Sequence, residues 1–148
     1  MLTIRDMTLE DENSVMEMVR EFYQSDAVDH TVDLSVLTET FQNAASENEM
    51  IRGLIFEENG IIAGYGYLTF YFASEIGGVN LMIEEVFLKK EYRGKGYGRT
   101  FFEWLFREYP DVKRYRLEVT KANEGAAALY QKMGFQFLDY RQMIKDTE

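Results

Sequence analysis

The segment Arg93-Gly94-Lys95-Gly96-Tyr97-Gly98 combines residue types that can hold a phosphorylated ligand. It follows an apolar strand pattern and opens an amphipathic helix pattern, so its glycines fall at the start of a helix. Glycine adopts positive φ without a side-chain penalty, and the first N–H groups of a helix lack partners within the helix. Residues 89–99 carry five basic side chains and one acidic side chain, a local charge of +5 − 1 = +4 in a chain of net charge −10. This contrast predicts a polyphosphate-binding loop.

A second segment whose residues could take part in catalysis or binding runs from Asn123 to Phe135. Ala126 and Ala127 lie four and three residues before Tyr130, on the same face of a predicted helix. Small side chains let a ligand or a neighbouring strand come close, and the phenol projects from that crowded face. On spacing alone, Tyr130 is either a core aromatic or a proton donor, and both interpretations stay open.

The remaining titratable candidates are few. Asp26, Asp29 and His30 lie in an acidic linker, where they could bind or deprotonate a cationic ligand. The chain has one histidine and no cysteine, which excludes a thiol nucleophile and a Cys-His pair, and we expect no metal site. The glycine loop also departs from the dinucleotide fingerprint and lacks the Gly-Lys-Ser/Thr ending of a P-loop.

Composition restricts the class of protein further. A chain of 148 residues with 46% apolar and 15% aromatic residues predicts one domain, residues 1–148, with a substantial core. The charge of −10 argues against nucleic acid as a partner and is compatible with either a cationic substrate or plain solubility. Charged residues near the N-terminus argue against a signal peptide, and no uncharged run is long enough to span a membrane. We therefore expect a cytoplasmic protein without a membrane partner.

The elements that must position these residues follow from hydrophobic periodicity and turn signals. Asn59-Gly60 between two apolar runs predicts a hairpin. Leu34, Leu37 and Phe41 form the apolar stripe of the second helix. The predicted order is β-α-α-β-β-β-α-β-α-β, a mixed sheet with packed helices. The first helix is capped by Asp11 or Asn13 and has an apolar face of Val15, Met18, Val19 and Phe22. The other strands and helices run over 2–5, 34–45, 51–56, 61–72, 79–88, 99–108, 115–119, 123–133 and 135–144.

The two segments together resemble the GCN5-related N-acetyltransferase (GNAT) superfamily. Arg93, Gly96 and Gly98 match its acetyl-CoA loop, and its later signature is matched by Asn123, Tyr130, Gly134 and Phe135. The resemblance extends over nearly the full chain. It implies an α/β (α+β) fold with a mixed, mostly antiparallel central sheet flanked by helices and splayed at the fourth and fifth strands.

The resemblance also implies an acetyl-CoA site. Backbone groups of Val86, Phe87 and Leu88 would contact the pantetheine arm. The amides of Arg93 to Arg99 would hold the pyrophosphate. Asn123 would contact the pantetheine or position its helix, and Lys132 could reach a phosphate. The full set implied for the cofactor is Val86, Phe87, Leu88, Arg93, Gly94, Lys95, Gly96, Tyr97, Gly98, Arg99, Asn123 and Lys132.

Acetyl transfer to an amine needs a neutral amine and a proton for the departing thiolate. In the polyamine-acetylating branch the base lies nine residues before the loop arginine, the position of Glu84, with Glu85 as the alternative. Because neighbouring strand residues point to opposite faces, we expect at most one of the two carboxylates at the cleft. By the same resemblance, Tyr130 would be the general acid, and Asp26, Asp29 and His30 would border the acceptor.

The function predicted is transfer of an acetyl group from acetyl-CoA to a primary amine of a small cationic acceptor, by direct attack in a ternary complex. Three alternatives stay open: acetylation of a protein N-terminus or lysine, a non-catalytic acyl-CoA sensor, and a nucleotide-binding module. A homodimer is possible, because aromatic strand residues 65–72 could line an interface as well as a core.

Overall fold

The computed structural model describes residues 1–147. Its elements in chain order are β1 (Leu2–Asp6), α1 (Glu12–Phe22), α2 (Leu34–Ala44), β2 (Ile51–Glu58), β3 (Ile61–Ala73), β4 (Gly78–Leu88), α3 (Tyr97–Glu108), β5 (Arg114–Leu117) and α4 (Glu124–Lys132). Single-turn 3-10 helices occupy Leu9–Asp11 and Lys90–Tyr92. The predicted order of elements is confirmed through the last helix.

The strands form one sheet in the order β1-β2-β3-β4-β5, antiparallel throughout except for the parallel pair β4–β5. The hairpin between β2 and β3 turns at Asn59 and Gly60, whose φ angles are 53° and 78°. Two consecutive left-handed residues match the twist of the flanking strands, which is why Asn-Gly is favoured there. The predicted hairpin is confirmed.

Helices cover both faces of the sheet. The first face is the side on which Tyr65, Tyr67 and Phe87 pack against α1 and α2. The second face is the side on which Phe56 and Leu81 pack against α3 and α4. A mostly antiparallel sheet with helices on both faces confirms the predicted fold class. Across residues 1–147, no helix is long and apolar enough to cross a membrane.

Two expectations are wrong. The predicted last strand, 135–144, has no regular secondary structure, and its Phe137 and Met143 are 70% and 96% exposed. The neighbouring β5 has only four residues to offer as a pairing edge, and the Tyr140 hydroxyl bonds to Glu75 outside any ladder. Leu34 does not belong to the buried stripe, because it lies in the first turn of α2 and is 52% exposed.

Candidate active site

A gap opens in the sheet where β4 and β5 separate. Their pairing runs from Asn80↔Arg114 to Ile83↔Leu117 and goes no further. On its other side, β4 stays paired with β3 as far as Leu88↔Gly64. In the described part of the chain, residues 85–88 therefore have a β3 partner but no β5 partner. The predicted splay of the fourth and fifth strands is confirmed.

The register of β4 decides which backbone groups line the gap. Lys89 N donates to Ala63 O at 2.8 Å, which makes this a hydrogen-bonded pair with β3. Because such pairs alternate along an antiparallel ladder, Phe87 also bonds to β3, whereas the N–H and C=O groups of Val86 and Leu88 point into the gap. Of the three residues predicted to contact pantetheine, Val86 thus offers its N–H and C=O to the gap and Leu88 offers its N–H, because the Leu88 carbonyl accepts from Arg93. Phe87 offers neither group.

The glycine loop lies beyond the end of β4 and leads into α3. Gly94 and Gly96 have φ angles of 76° and 81°, and a Cβ at either position would meet nothing within 4 Å. Gly96 is the N-cap of α3 and brings no capping side chain, so the N–H groups of the first turn face outward. A Cβ on Gly98 would lie 2.7 Å from Leu129 Cδ2, so this glycine lets α3 and α4 approach closely.

The side chains of the loop already have partners within the protein. Arg93 Nε donates to Leu88 O at 2.8 Å, and the guanidinium stacks on the Phe87 ring. Lys95 Nζ lies 3.7 Å from a Glu58 carboxylate oxygen. The Tyr97 hydroxyl donates to the same carboxylate and, together with Lys95, holds the pKa of Glu58 below its usual range. Glu58 lies in β2, too distant in sequence for a local motif to indicate this role.

The remaining cofactor candidates lie on exposed or capping positions. Arg99 is exposed in the first turn of α3. Lys132 is exposed in the last turn of α4, one turn beyond the Leu129 that packs against Gly98. The Asn123 side chain accepts a hydrogen bond from Ala126 N, so Asn123 positions α4 as its N-cap. A basic, glycine-rich loop that opens onto solvent beside a gap of free backbone groups fits the phosphates and pantetheine arm of coenzyme A.

A β-bulge places both glutamates on the first face. β3 and β4 pair as Tyr67↔Glu85 and then Leu68↔Ile83, which leaves Glu84 as the extra residue. Thr69 shares the face of Tyr67, and its hydroxyl donates to Glu84 at 2.7 Å. Strict alternation, the basis for expecting at most one carboxylate at the cleft, therefore fails at this bulge.

The two carboxylates have different surroundings. Glu84 is exposed, whereas Glu85 is 9% exposed and accepts hydrogen bonds of 2.7 Å from both Tyr23 and Tyr65. Burial raises the pKa of Glu85, the two phenol hydrogen bonds oppose that shift, and the nearby charge of Glu84 adds to it. Tyr23 and Tyr65 were missed by sequence reasoning, because they lie 62 and 20 residues from Glu85.

Tyr130 lies on the second face, opposite the carboxylates. Its ring packs edge-on against Phe102 at a centroid distance of 5.6 Å and also contacts Phe135. It lines a cavity of about 530 Å³ between α4, β5 and residues 135–142. Burial raises the pKa of the Tyr130 hydroxyl, so this phenol stays protonated at neutral pH.

The linker between α1 and α2, residues 24–33, reaches the far side of the gap. The Thr120 hydroxyl, in the loop after β5, donates to the backbone carbonyl of Asp26. Asp29 and His30 pair with each other at 2.9 Å on the exposed surface, and this contact lowers the pKa of Asp29. The structure thus brings Asp26 to the open end of the sheet, whereas Asp29 and His30 form a separate exposed pair.

Comparison with known proteins agrees with this geometry. A model of the acetyltransferase (GNAT) family matches residues 13–135. A Bacillus subtilis (strain 168) protein named "Putative ribosomal protein bS18-alanine N-acetyltransferase" is 28% identical, over 90% of this chain and 80% of its own. The thialysine N-epsilon-acetyltransferase of Mus musculus is 26% identical, over 91% of this chain and 84% of its own. A predicted acetyltransferase of Clostridium acetobutylicum, crystallised with acetyl-CoA, superposes with a TM-score of 0.77 at 20% identity, covering 98% of this chain and 96% of its own.

The fold and the gap beside the glycine loop define an acyltransferase that uses coenzyme A. The chain belongs to the GNAT acetyltransferase family, as the match over residues 13–135 shows. It is an N-acetyltransferase, and acetyl-CoA is its acetyl donor.

Proposed function

We propose that the protein acetylates a primary amine of a small cationic acceptor by direct attack in a ternary complex. The observation that carries the proposal is the bulge, which sets Glu84 and Glu85 side by side on the first face, next to the gap. Two adjacent carboxylates attract a cation, and the acidic linker reaches the same region through Asp26. One relative is named for the small amine thialysine, which supports this acceptor class.

The two faces would divide the work of the reaction. Acetyl-CoA, when bound, supplies a thioester carbonyl, and a backbone N–H of Val86 or Leu88 in the gap would polarise it. Glu84 takes the proton of the attacking amine through a water, since an alkylammonium has a pKa of about 10 and must lose a proton first. Tyr130, protonated on the second face, gives a proton to the departing thiolate. As the N–C bond forms and the C–S bond breaks, the nitrogen gives up a second proton, which replaces the one that Tyr130 lost, so charge and protons balance.

Acetylation of a protein N-terminus is the second candidate, because one relative is named for ribosomal protein bS18-alanine. A screen of thiol release with free diamines, lysine analogues and a peptide with an N-terminal alanine separates the two. Turnover of free amines at lower KM than the peptide supports our proposal, and the reverse order overturns it. An acyl-CoA sensor would bind acetyl-CoA and release no thiol with any acceptor.

The pH dependence of the reaction rate tests the assignment of Glu84 as the base. At saturating amine, Glu84→Gln should abolish or shift the limb on which kcat rises with pH, while acetyl-CoA affinity stays unchanged. Glu85→Gln is the matched control one residue away. If Glu85→Gln moves that limb and Glu84→Gln leaves it in place, the base is Glu85.

We also propose a cytoplasmic homodimer. In the range 65–72, Tyr65, Tyr67 and Leu68 are buried in the core, but Phe72 is 70% exposed beside Tyr71 and Val79 on the β3–β4 hairpin. Light scattering on a size-exclusion column gives the mass of the wild type, and Phe72→Asp should convert a dimer to a monomer. A monomeric wild type overturns the proposal.

A further inference from the structure

The carboxylate of Glu85 is connected to the protein surface through one phenol. Its two donors differ: Tyr65 is fully buried in β3, whereas Tyr23 is partly exposed at the C-cap of α1. Tyr23 directly precedes the linker that reaches the open end of the sheet through Asp26. The Tyr23 ring rests edge-on against Phe22 at 5.3 Å, so its position is fixed by the end of α1.

We propose that Tyr23 is a positioning residue for the cationic acceptor: its hydroxyl holds Glu85 as an oriented anion beside Glu84. This inference rests on the proposed function. Nothing in the proposed chemistry uses Tyr23, and its phenol does not need to touch the reacting atoms. It acts through Glu85, which it contacts at 2.7 Å from a different element of the fold.

A buried carboxylate is costly to ionise unless hydrogen-bond donors or cations surround it. The titratable groups that face Glu85 are Tyr23 from α1, Tyr65 and Tyr67 from β3, and Glu84 from its own strand. None of them is a cation, so the two phenol donors are the groups that stabilise the anion. Burial and Glu84 already raise the pKa of Glu85. Loss of the Tyr23 donor would raise it further, so Glu85 would take up a proton at a higher pH and lose the charge that attracts the acceptor.

The first experiment tests the hydrogen bond between Tyr23 and Glu85 without any enzyme turnover. The carboxyl carbons of ¹³C-labelled glutamates are titrated by NMR in the wild type and in Tyr23→Phe, and Glu85→Gln identifies the signal of Glu85. We expect the Glu85 midpoint to move to higher pH in Tyr23→Phe and to stay in place in Tyr71→Phe, which removes an exposed phenol from β3. An unmoved midpoint in Tyr23→Phe overturns the inference.

The second experiment tests the positioning role of Tyr23 by steady-state kinetics with an amine that the wild type acetylates. Tyr23→Phe should raise KM for the amine by about tenfold near the Glu85 midpoint, with KM for acetyl-CoA unchanged. In a Glu85→Gln background, Tyr23→Phe should have no further effect, because both changes act through one carboxylate. Additive effects, or an unchanged KM for the amine, overturn the positioning role. A wild type that acetylates no amine overturns the proposed function, and with it the inference, whatever the NMR midpoint shows.

Discussion

At the scale of single residues, Tyr130 combines a packing role with a proposed chemical role, and the two can be separated. Tyr130→Phe keeps the ring contacts with Phe102 and Phe135 and removes only the hydroxyl. We expect turnover to fall by about a hundredfold or more, because a positioned proton donor contributes about that much. Affinity for acetyl-CoA, measured by calorimetry, should be unchanged. Tyr140→Phe is the control, since it lines the same cavity with an exposed phenol, and an equal loss of turnover in both variants would contradict the role of Tyr130.

Tyr67 presents the opposite case, a hydroxyl that is buried without a hydrogen-bond partner among residues 1–147. A buried, unpaired hydroxyl costs free energy in the folded state. Tyr67→Phe should therefore leave the free energy of unfolding unchanged or raise it by up to about 1 kcal/mol. Tyr65→Phe should lower it by about 1–3 kcal/mol, because it removes a donor from Glu85. Urea denaturation measures both, and a loss above about 1 kcal/mol in Tyr67→Phe would contradict the prediction.

At the scale of elements, the glycine loop is tested by a pair of equivalent glycines. Gly96 and Gly77 both have positive φ, 81° and 66°, and a Cβ at either would meet nothing within 4 Å. Valine should therefore cost a similar backbone strain, about 1–2 kcal/mol, at both positions. Only Gly96→Val should weaken acetyl-CoA binding, by tenfold or more, because only that side chain would project among the free amides of α3. Calorimetric titration decides, and equal affinity in the two variants would place the phosphates elsewhere.

The close approach of β3 and β4 depends on Gly64. A Cβ there would lie 2.1 Å from the backbone oxygen of Phe87, which cannot move aside without shifting the strand that lines the gap. We expect Gly64→Ala to lower the free energy of unfolding by about 1–3 kcal/mol. Gly66→Ala, two residues along, should cost less, because its Cβ would meet nothing closer than Phe56 at 3.3 Å. Thermal unfolding of the two variants gives the comparison, and equal costs would contradict it.

Elements with a local signal could be predicted from the sequence, and those that depend on distant partners could not. The Asn59-Gly60 turn, the cap at Asn123 and the loop into α3 each follow from adjacent residues. The strand predicted over 135–144 failed because alternation alone does not provide a pairing edge.

The site followed the same rule. The positive φ of Gly96 could be predicted from its loop. The bulge at Glu84 could not, because it depends on the register between two strands. The phenol donors to Glu85 come from α1 and β3, so no short sequence motif contains them together with Glu85.

At the scale of the whole molecule, opposite charges are concentrated in different parts of the chain. Residues 89–99 carry +4, so the rest of the chain carries −10 − 4 = −14. An anionic donor and a cationic acceptor are therefore both drawn to the protein by long-range attraction. We expect KM for acetyl-CoA and KM for the amine both to rise between 50 and 500 mM salt, since the Debye length falls from about 14 to about 4 Å. An amine KM that does not respond to salt would contradict an acidic acceptor site.

The bulge offers a simple evolutionary route by which the proposed base could be gained or lost. Glu84 is the one extra residue between the pairs Tyr67↔Glu85 and Leu68↔Ile83, and the pairing of β3 with β4 is regular on both sides of it. Deletion of the Glu84 codon would keep the register of β3 and β4 on both sides and give an unbroken ladder. Glu85 would still accept hydrogen bonds from Tyr23 and Tyr65. A relative of this protein could thus lose the proposed base by a one-residue deletion that the fold tolerates. Alignments of such relatives are best inspected for gaps at this position, and not only for substitutions.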